Sequence, residues 1–169
     1  MPTKRFSWLG FLPVALVSFL FISQIIVGIC LLSTVSQIEI LAYIGMGLYV
    51  ISGLVFGLLP VIEFRKKGRV RKGKSYIHTT KLVDTGIYSI VRHPQYVTFM
   101  LWAMAGMLLF QHWVIFLLGI PIFPLTYIDL VRADRDAIEK FGDEYKAYMK
   151  KVPRANFLLG IIRQFRKSK

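Results

Sequence analysis

From Trp8 to Leu32 the chain contains no Asp, Glu, Lys or Arg. At about 1.5 Å of rise per residue, a helix of that length crosses a hydrocarbon core of about 30 Å with some tilt. Lys4 and Arg5 precede the run as they would in a signal peptide. Its length exceeds that of a signal core and no small-residue cleavage site follows, so it reads as a retained span. A second apolar run covers Ile40 to Ile62 and includes Gly53-Leu54-Val55-Phe56-Gly57, a GxxxG spacing suited to close helix packing within a bundle. After the dense basic segment Arg65 to Lys74, a third run extends from Pro94 to Phe110. Gln111-His112-Trp113 then turns the chain into a fourth, Val114 to Leu130, where Pro121 and Pro124 bend the return arm.

These runs predict an all-α integral membrane protein with about four transmembrane helices, over 8–32, 40–62, 94–110 and 114–130, the last two forming a helical hairpin. With 169 residues and 55% hydrophobic content, the chain holds one such domain, 1–169, and no second core. The 22 Lys and Arg against 9 Asp and Glu give a net charge of +13. In a soluble chain this excess would point to nucleic acid. Here the cations lie between and after the apolar runs, so anionic lipid headgroups are the expected partner and nucleic acid is not. The two loops without Lys or Arg fall on one side of the bilayer. Both termini and the basic loop fall on the other, which the positive-inside rule makes cytoplasmic.

Beyond Leu130 the pattern turns amphipathic, predicting cytoplasmic C-terminal helices over 131–169 with a break at Gly142-Asp143. The tail from Asn156 to Lys167 combines apolar residues with cations and suits the membrane interface. Cys30 is the only cysteine, so neither an intrachain disulfide nor a cysteine metal site can form. His78, His93 and His112 are too scattered for a metal centre, and His112 reads as an interfacial residue in the turn. No HExxH, phosphate-binding loop or nucleophile elbow is present.

Chemistry is expected where the basic loop meets the third span, at Gly86-Ile87-Tyr88-Ser89-Ile90-Val91-Arg92-His93-Pro94-Gln95-Tyr96. Pro94 suits the first helical position and makes His93 the cap. The amides of Gln95 and Tyr96, with Arg92 beside them, could hold a carboxylate or phosphate; the same residues could also serve as an interfacial anchor. Among the carboxylates, Asp134, Ile138 and Phe141 fall at i, i+4 and i+7, which turns Asp134 toward the bundle. Asp136 lies on another side with Asp129 and Arg132, where an ion pair or a substrate contact is possible. Asp129 is costly in an apolar span unless it is paired or faces a wet cavity.

Lys81-Leu82-Val83-Asp84-Thr85-Gly86-Ile87-Tyr88, Arg92-His93-Pro94-Gln95-Tyr96, Phe141-Gly142-Asp143-Glu144-Tyr145-Lys146-Ala147-Tyr148 and Val152-Pro153-Arg154 occur in order. This series resembles the isoprenylcysteine carboxyl methyltransferase family, which is related to the phospholipid N-methyltransferases. The resemblance implies a membrane enzyme that transfers a methyl group from S-adenosylmethionine to a lipid-like acceptor. The acceptor it implies first is the carboxylate of an isoprenylcysteine, as a prenylated small molecule or protein C-terminus. An ethanolamine phospholipid is the alternative acceptor, and a non-catalytic membrane adaptor or a sterol-reductase-like protein is the alternative class. It also implies that Lys81, Leu82, Val83, Gly86, Tyr88, His93, Pro94, Gln95, Tyr96 and Asp134 surround the cofactor. Arg92, Asp134 and Asp136 are then the candidate catalytic residues, and Thr98, Asp129 and Arg132 the candidate acceptor contacts. Two departures stand out. Thr98 occupies a position that is glycine in many relatives, and Ala133-Asp134-Arg135-Asp136 stands where relatives carry paired glutamates.

Overall fold

The computed structural model describes residues 12–34, 36–69 and 79–167 of the chain. Lys4, Arg5, the first residues of the Trp8 to Leu32 run, the Val70 to Lys74 part of the basic segment and His78 lie outside the described residues. Among those described, the fold is helical and contains no strand.

Helix α1, Leu12–Leu31, is followed by a short tight turn and by α2, Glu39–Ser52. A wider helical turn, Gly53–Leu58, connects α2 to α3, Leu59–Lys67, so that Glu39–Lys67 forms one continuous apolar rod of 29 residues. Pro60 accounts for the wide turn. Proline offers no amide hydrogen and its ring crowds the carbonyl four residues back, so the ladder shifts by one and Leu59 N–H donates to Leu54 O. The chain then passes through the tight turn Gly86–Ser89 into α4, Pro94–Phe110, and on through α5, Trp113–Gly119, to α6, Ile122–Phe141. Two shorter helices complete it, α7, Asp143–Lys151, and α8, Phe157–Lys167.

Among the described residues, three rods are long and apolar enough to cross a bilayer: Leu12–Thr34, Glu39–Lys67 and Trp113–Phe141. Pro94–Phe110 is a shorter apolar helix beside them. The last rod joins the expected fourth span and the expected helix beyond Leu130 into one run that ends at the expected break, Gly142-Asp143. No Gly or Pro interrupts the chain between Leu125 and Phe141, so α6 runs on as one helix until Gly142 adopts a positive φ of 58°. Pro121 marks the break between α5 and α6, and Pro124 sits in the first turn of α6, where it costs little.

Helix α4 is the centre of the bundle, packed against α2 on one flank and against α1, α5 and α6 on the other. Gly45 lets α2 approach so closely that a Cβ there would stand 2.8 Å from Ala105 O and 2.9 Å from Leu109 N. The GxxxG residues Gly53 and Gly57 face Trp102 and Thr98 of the same helix. Gln24 is buried in α1 and donates to Ala103 O at 3.0 Å and Ile115 O at 3.3 Å, tying three helices together where lipid offers no competing partner. The two loops that carry no Lys or Arg meet in space. Ile38 N–H donates to Gln111 Oε1 at 2.9 Å, and Gln111 Nε2 donates back to Ile38 O at 3.0 Å. His112, in the same loop, caps α5 by accepting from Val114 N–H at 3.2 Å.

Candidate active site

At the opposite end of the bundle, three segments distant in sequence converge on the start of α4. The turn Gly86–Ser89 buries Tyr88 against Phe64 at the end of α3, with ring centroids 4.5 Å apart and planes within 4°. Gly86 holds φ at 60° and presses on Glu63, so a side chain there would meet Glu63 Oε1 at 2.5 Å. Arg92 N–H donates to Pro153 O at 3.0 Å and His93 N–H to Arg154 O at 3.2 Å, so the strip before α4 is held by backbone that follows α7. The Tyr148 hydroxyl donates to Tyr88 O at 2.5 Å.

Asp134 is the hub of this convergence and is 2% exposed. Its Oδ1 accepts from the Tyr145 hydroxyl at 2.7 Å and from His93 Nε2 at 2.7 Å. Its Oδ2 accepts from Arg154 Nε at 2.7 Å and Arg92 Nη2 at 3.1 Å. A carboxylate offers about four lone-pair sites, and this arrangement occupies all of them. Burial, followed by the hydrogen bond to Asp134, pushes the Tyr145 phenol well above the usual tyrosine range. Burial raises Tyr148 as well, with Arg92 acting in the opposite sense. At Arg154 burial works against the charge, but the bond to Asp134, the charge of that carboxylate and the contact with Tyr127 together outweigh it, and the guanidinium is held above its ordinary pKa.

Two cavities flank the first turn of α4. One, of about 380 Å³, is bounded by Phe64, Tyr88, Arg92, His93, Tyr96 and Asp136 among others. A smaller recess of about 100 Å³ shares Phe64, Tyr88, Arg92 and His93 with it and reaches Leu82 and Val83. Arg92 Nε is buried here without a hydrogen-bond partner. The second cavity, of about 320 Å³, lies among α1, α4 and α6 and is lined by Val14, Val17, Phe99 and Trp102 together with Thr98, Thr126 and Asp129. Val14 and Phe99 are 48% and 38% exposed on the flank of the bundle, so this cavity opens sideways. Gln95 and Tyr96 are common to both cavities and form the wall between them.

Of the residues singled out from the sequence, Tyr88, Arg92, His93, Pro94, Gln95, Tyr96 and Asp136 line the larger cavity. Leu82 and Val83 line its recess, and Thr98 and Asp129 line the lateral cavity. Four residues fall elsewhere. Lys81 is exposed and pairs through its backbone with Gly68 O, Gly86 packs on Glu63, and Arg132 sits 3.7 Å from Asp129 in an ion pair. Asp134 lines none of these cavities, because its oxygens are turned into the hub. Sequence reading passed over Phe64, Thr126, Tyr145 and Arg154 as site residues. The motif positions of Tyr145 and Arg154 were visible, but nothing in their spacing indicated a common carboxylate partner.

Residues 69–138 match the model of the isoprenylcysteine carboxyl methyltransferase family. A protein-S-isoprenylcysteine O-methyltransferase of Schizosaccharomyces pombe is 33% identical over 98 residues, covering 53% of this chain and 42% of that protein. The chain therefore spans less than half the length of that relative. No solved structure matches the chain. The matched segment contains Tyr88, Arg92, His93 and Asp134 and stops short of Tyr145 and Arg154.

Proposed function

We propose, from the similarity of residues 69–138 to the isoprenylcysteine carboxyl methyltransferase family, that the chain is a multi-pass membrane methyltransferase. In this reading it uses S-adenosylmethionine and methylates the carboxylate of an isoprenylcysteine-type acceptor. One observation carries the reading: a cavity bordered by Arg92, His93 and Asp136 and a second, laterally open cavity walled by Val14, Val17, Phe99 and Trp102 share a wall at Gln95 and Tyr96. A soluble donor and a lipid acceptor need such an arrangement, since each enters from its own phase and the reacting atoms must meet.

The larger cavity suits the donor. Its size falls within the usual range for small-ligand sites of about 300–1,000 Å³. The stacked Phe64 and Tyr88 give the cavity an aromatic wall for a flat base, and the orphaned Arg92 Nε can bind a carboxylate. Asp136 provides an acidic side for an ammonium. When bound, S-adenosylmethionine supplies an electrophilic methyl on a sulfonium that leaves as a neutral thioether. The protein's contribution is alignment and exclusion of water. Tyr96 and Gln95 set the contact point, and Arg92 and His93 hold it in place because Asp134 fixes both. A carboxylate acceptor is already a nucleophile, so no base is required. In this reading the donor cavity faces the cytoplasm, which Arg65, Lys66 and Lys67 at the end of α3 support by the positive-inside rule.

A phospholipid amine is the second reading, favoured by the carboxylate of Asp129 in the lateral cavity. Labelled methyl transfer from S-adenosylmethionine to S-farnesylcysteine derivatives tests the first. Wild-type protein is expected to methylate them, and Tyr88→Ala and Arg92→Ala to lose the activity while remaining helical in detergent. Retained transfer in both variants overturns the site assignment. Absence of S-adenosylhomocysteine binding by calorimetry overturns the use of this donor.

A further inference from the structure

Helix α8, Phe157–Lys167, presents faces of different character. Gly160 and Gln164, one turn apart, face the bundle: Gly160 packs on the Ile90 carbonyl, and Gln164 Nε2 donates to Ser89 Oγ at 2.6 Å. Leu158 and Ile162 form a second face and are 62% and 50% exposed. Arg166 and Arg163, which also donates to Lys151 O at 3.4 Å, form a third, and from Asn156 to Lys169 the chain has no Asp or Glu. Among the described residues of α8 only Gly160 is buried. The helix has 11 residues, below the roughly 12–15 at which an isolated helix holds in water, so its exposed ridge needs an apolar surface. The spanning rods lead to one. Phe157 packs on Phe56 of the second rod with ring centroids 5.1 Å apart. At 1.5 Å of rise per residue, Phe56 lies about 14 Å inside Arg65, so α8 starts beside the hydrocarbon and continues to the turn that carries Tyr88.

We propose that α8 docks on anionic lipid, with Leu158 and Ile162 among the acyl chains and Arg163 and Arg166 on the headgroups, and that this docking steadies the turn Gly86–Ser89 and the strip up to Arg92. An apolar ridge beside cations, with no acidic residue nearby, is the charge pattern that an anionic bilayer surface complements. The link to the strip is a short relay. Gln164 donates to Ser89 Oγ, and the Ser89 hydroxyl donates to Gly86 O at 2.7 Å, closing the turn that stacks Tyr88 on Phe64. Gly160 braces Ile90, two residues before Arg92. Released from lipid, α8 keeps few buried contacts, and the turn loses both braces together. Lipid docking stands independently of the methyltransferase reading; its effect on donor binding rests on that reading.

The test follows amide hydrogen exchange of the full chain in phosphatidylcholine nanodiscs with and without phosphatidylglycerol, alongside calorimetric titration with S-adenosylhomocysteine. Phosphatidylglycerol is expected to raise protection of the 157–167 amides at least about tenfold, the scale of two cations each near an anionic surface, and to raise that of 86–92 with it. Affinity for S-adenosylhomocysteine should rise about fivefold or more, the lower end of typical couplings between sites. These gains should vanish in Arg163→Gln/Arg166→Gln. In Gln164→Ala, α8 should still gain protection while 86–92 gains less. Equal protection of α8 in the two discs, or the same gain in Arg163→Gln/Arg166→Gln, overturns the docking. Protection that grows instead with the number of chains per disc assigns the face to a second copy and overturns it as well. A protected α8 with 86–92 unchanged overturns the coupling. Lipid-dependent protection of both segments with no S-adenosylhomocysteine binding in either disc overturns the donor reading and leaves the docking standing.

Discussion

Asp134 shows how far a single side chain can be placed from sequence. Its spacing from Ile138 and Phe141 puts it on the inward face of α6, and there it is buried. Its four hydrogen bonds could not be foreseen, because they come from Arg92, His93, Tyr145 and Arg154 on three separate segments. Helical periodicity predicts a side chain's direction and says nothing about which distant loop arrives opposite it. The hub holds two guanidinium groups that would otherwise lie partly buried and without a counter-ion. Removing a buried partner of this kind costs about 3–5 kcal/mol. Asp134→Ala is therefore expected to lower stability by an amount of that order, read as the midpoint of thermal unfolding in detergent, and to weaken S-adenosylhomocysteine binding through displacement of Arg92 and His93. An unchanged midpoint would show that the hub does not hold these segments together.

At the scale of elements, the apolar rods were legible because length against bilayer thickness decides them. Their interruptions were less so. The wide turn at Gly53–Leu58 leaves the hydrophobic pattern almost unaltered, and only Pro60 hints at it. The end of the last rod was legible at Gly142-Asp143, but its continuity through Leu130 was not, because apolar content falls off there while helix propensity does not. Close packing of α2 on α4 rests on Gly45 more than on the GxxxG residues, since backbone atoms of Ala105 and Leu109 face Gly45 and cannot move aside as a side chain would. Gly45→Leu is expected to cost about 1–3 kcal/mol. Gly47→Leu should cost far less, because a Cβ at Gly47 meets nothing within 4 Å. Urea or thermal unfolding of the two variants side by side checks the difference. Gly160 plays a similar part for α8, where any side chain would strike the Ile90 carbonyl just before Arg92.

For the molecule as a whole, folding joins the first turn of α4 to the C-terminal helices through buried phenols. Tyr145 and Tyr148 titrate higher in the folded chain than the ordinary value of about 10. The native state therefore holds these protons more tightly than the unfolded one. The associated stability is complete below about pH 10 and is lost as pH rises past that value toward the folded pKa. The unfolding midpoint is expected to drop from about pH 10 upward. Tyr148→Phe should flatten that drop while costing about 1 kcal/mol at neutral pH through the lost bond to Tyr88 O. An alkaline limb identical in Tyr148→Phe and wild type would rule out the contribution.

The wall formed by Gln95 and Tyr96 has a consequence for how such a protein is supplied. Under the proposed function, one reactant is dissolved in a volume and the other is spread over an area. Diluting the cytosol changes the first and leaves the second untouched, whereas enlarging the membrane at constant lipid acceptor does the reverse. Saturation by the acceptor would then follow its mole fraction in the bilayer, so the turnover of this chain would depend on membrane composition even at a fixed amount of substrate per cell.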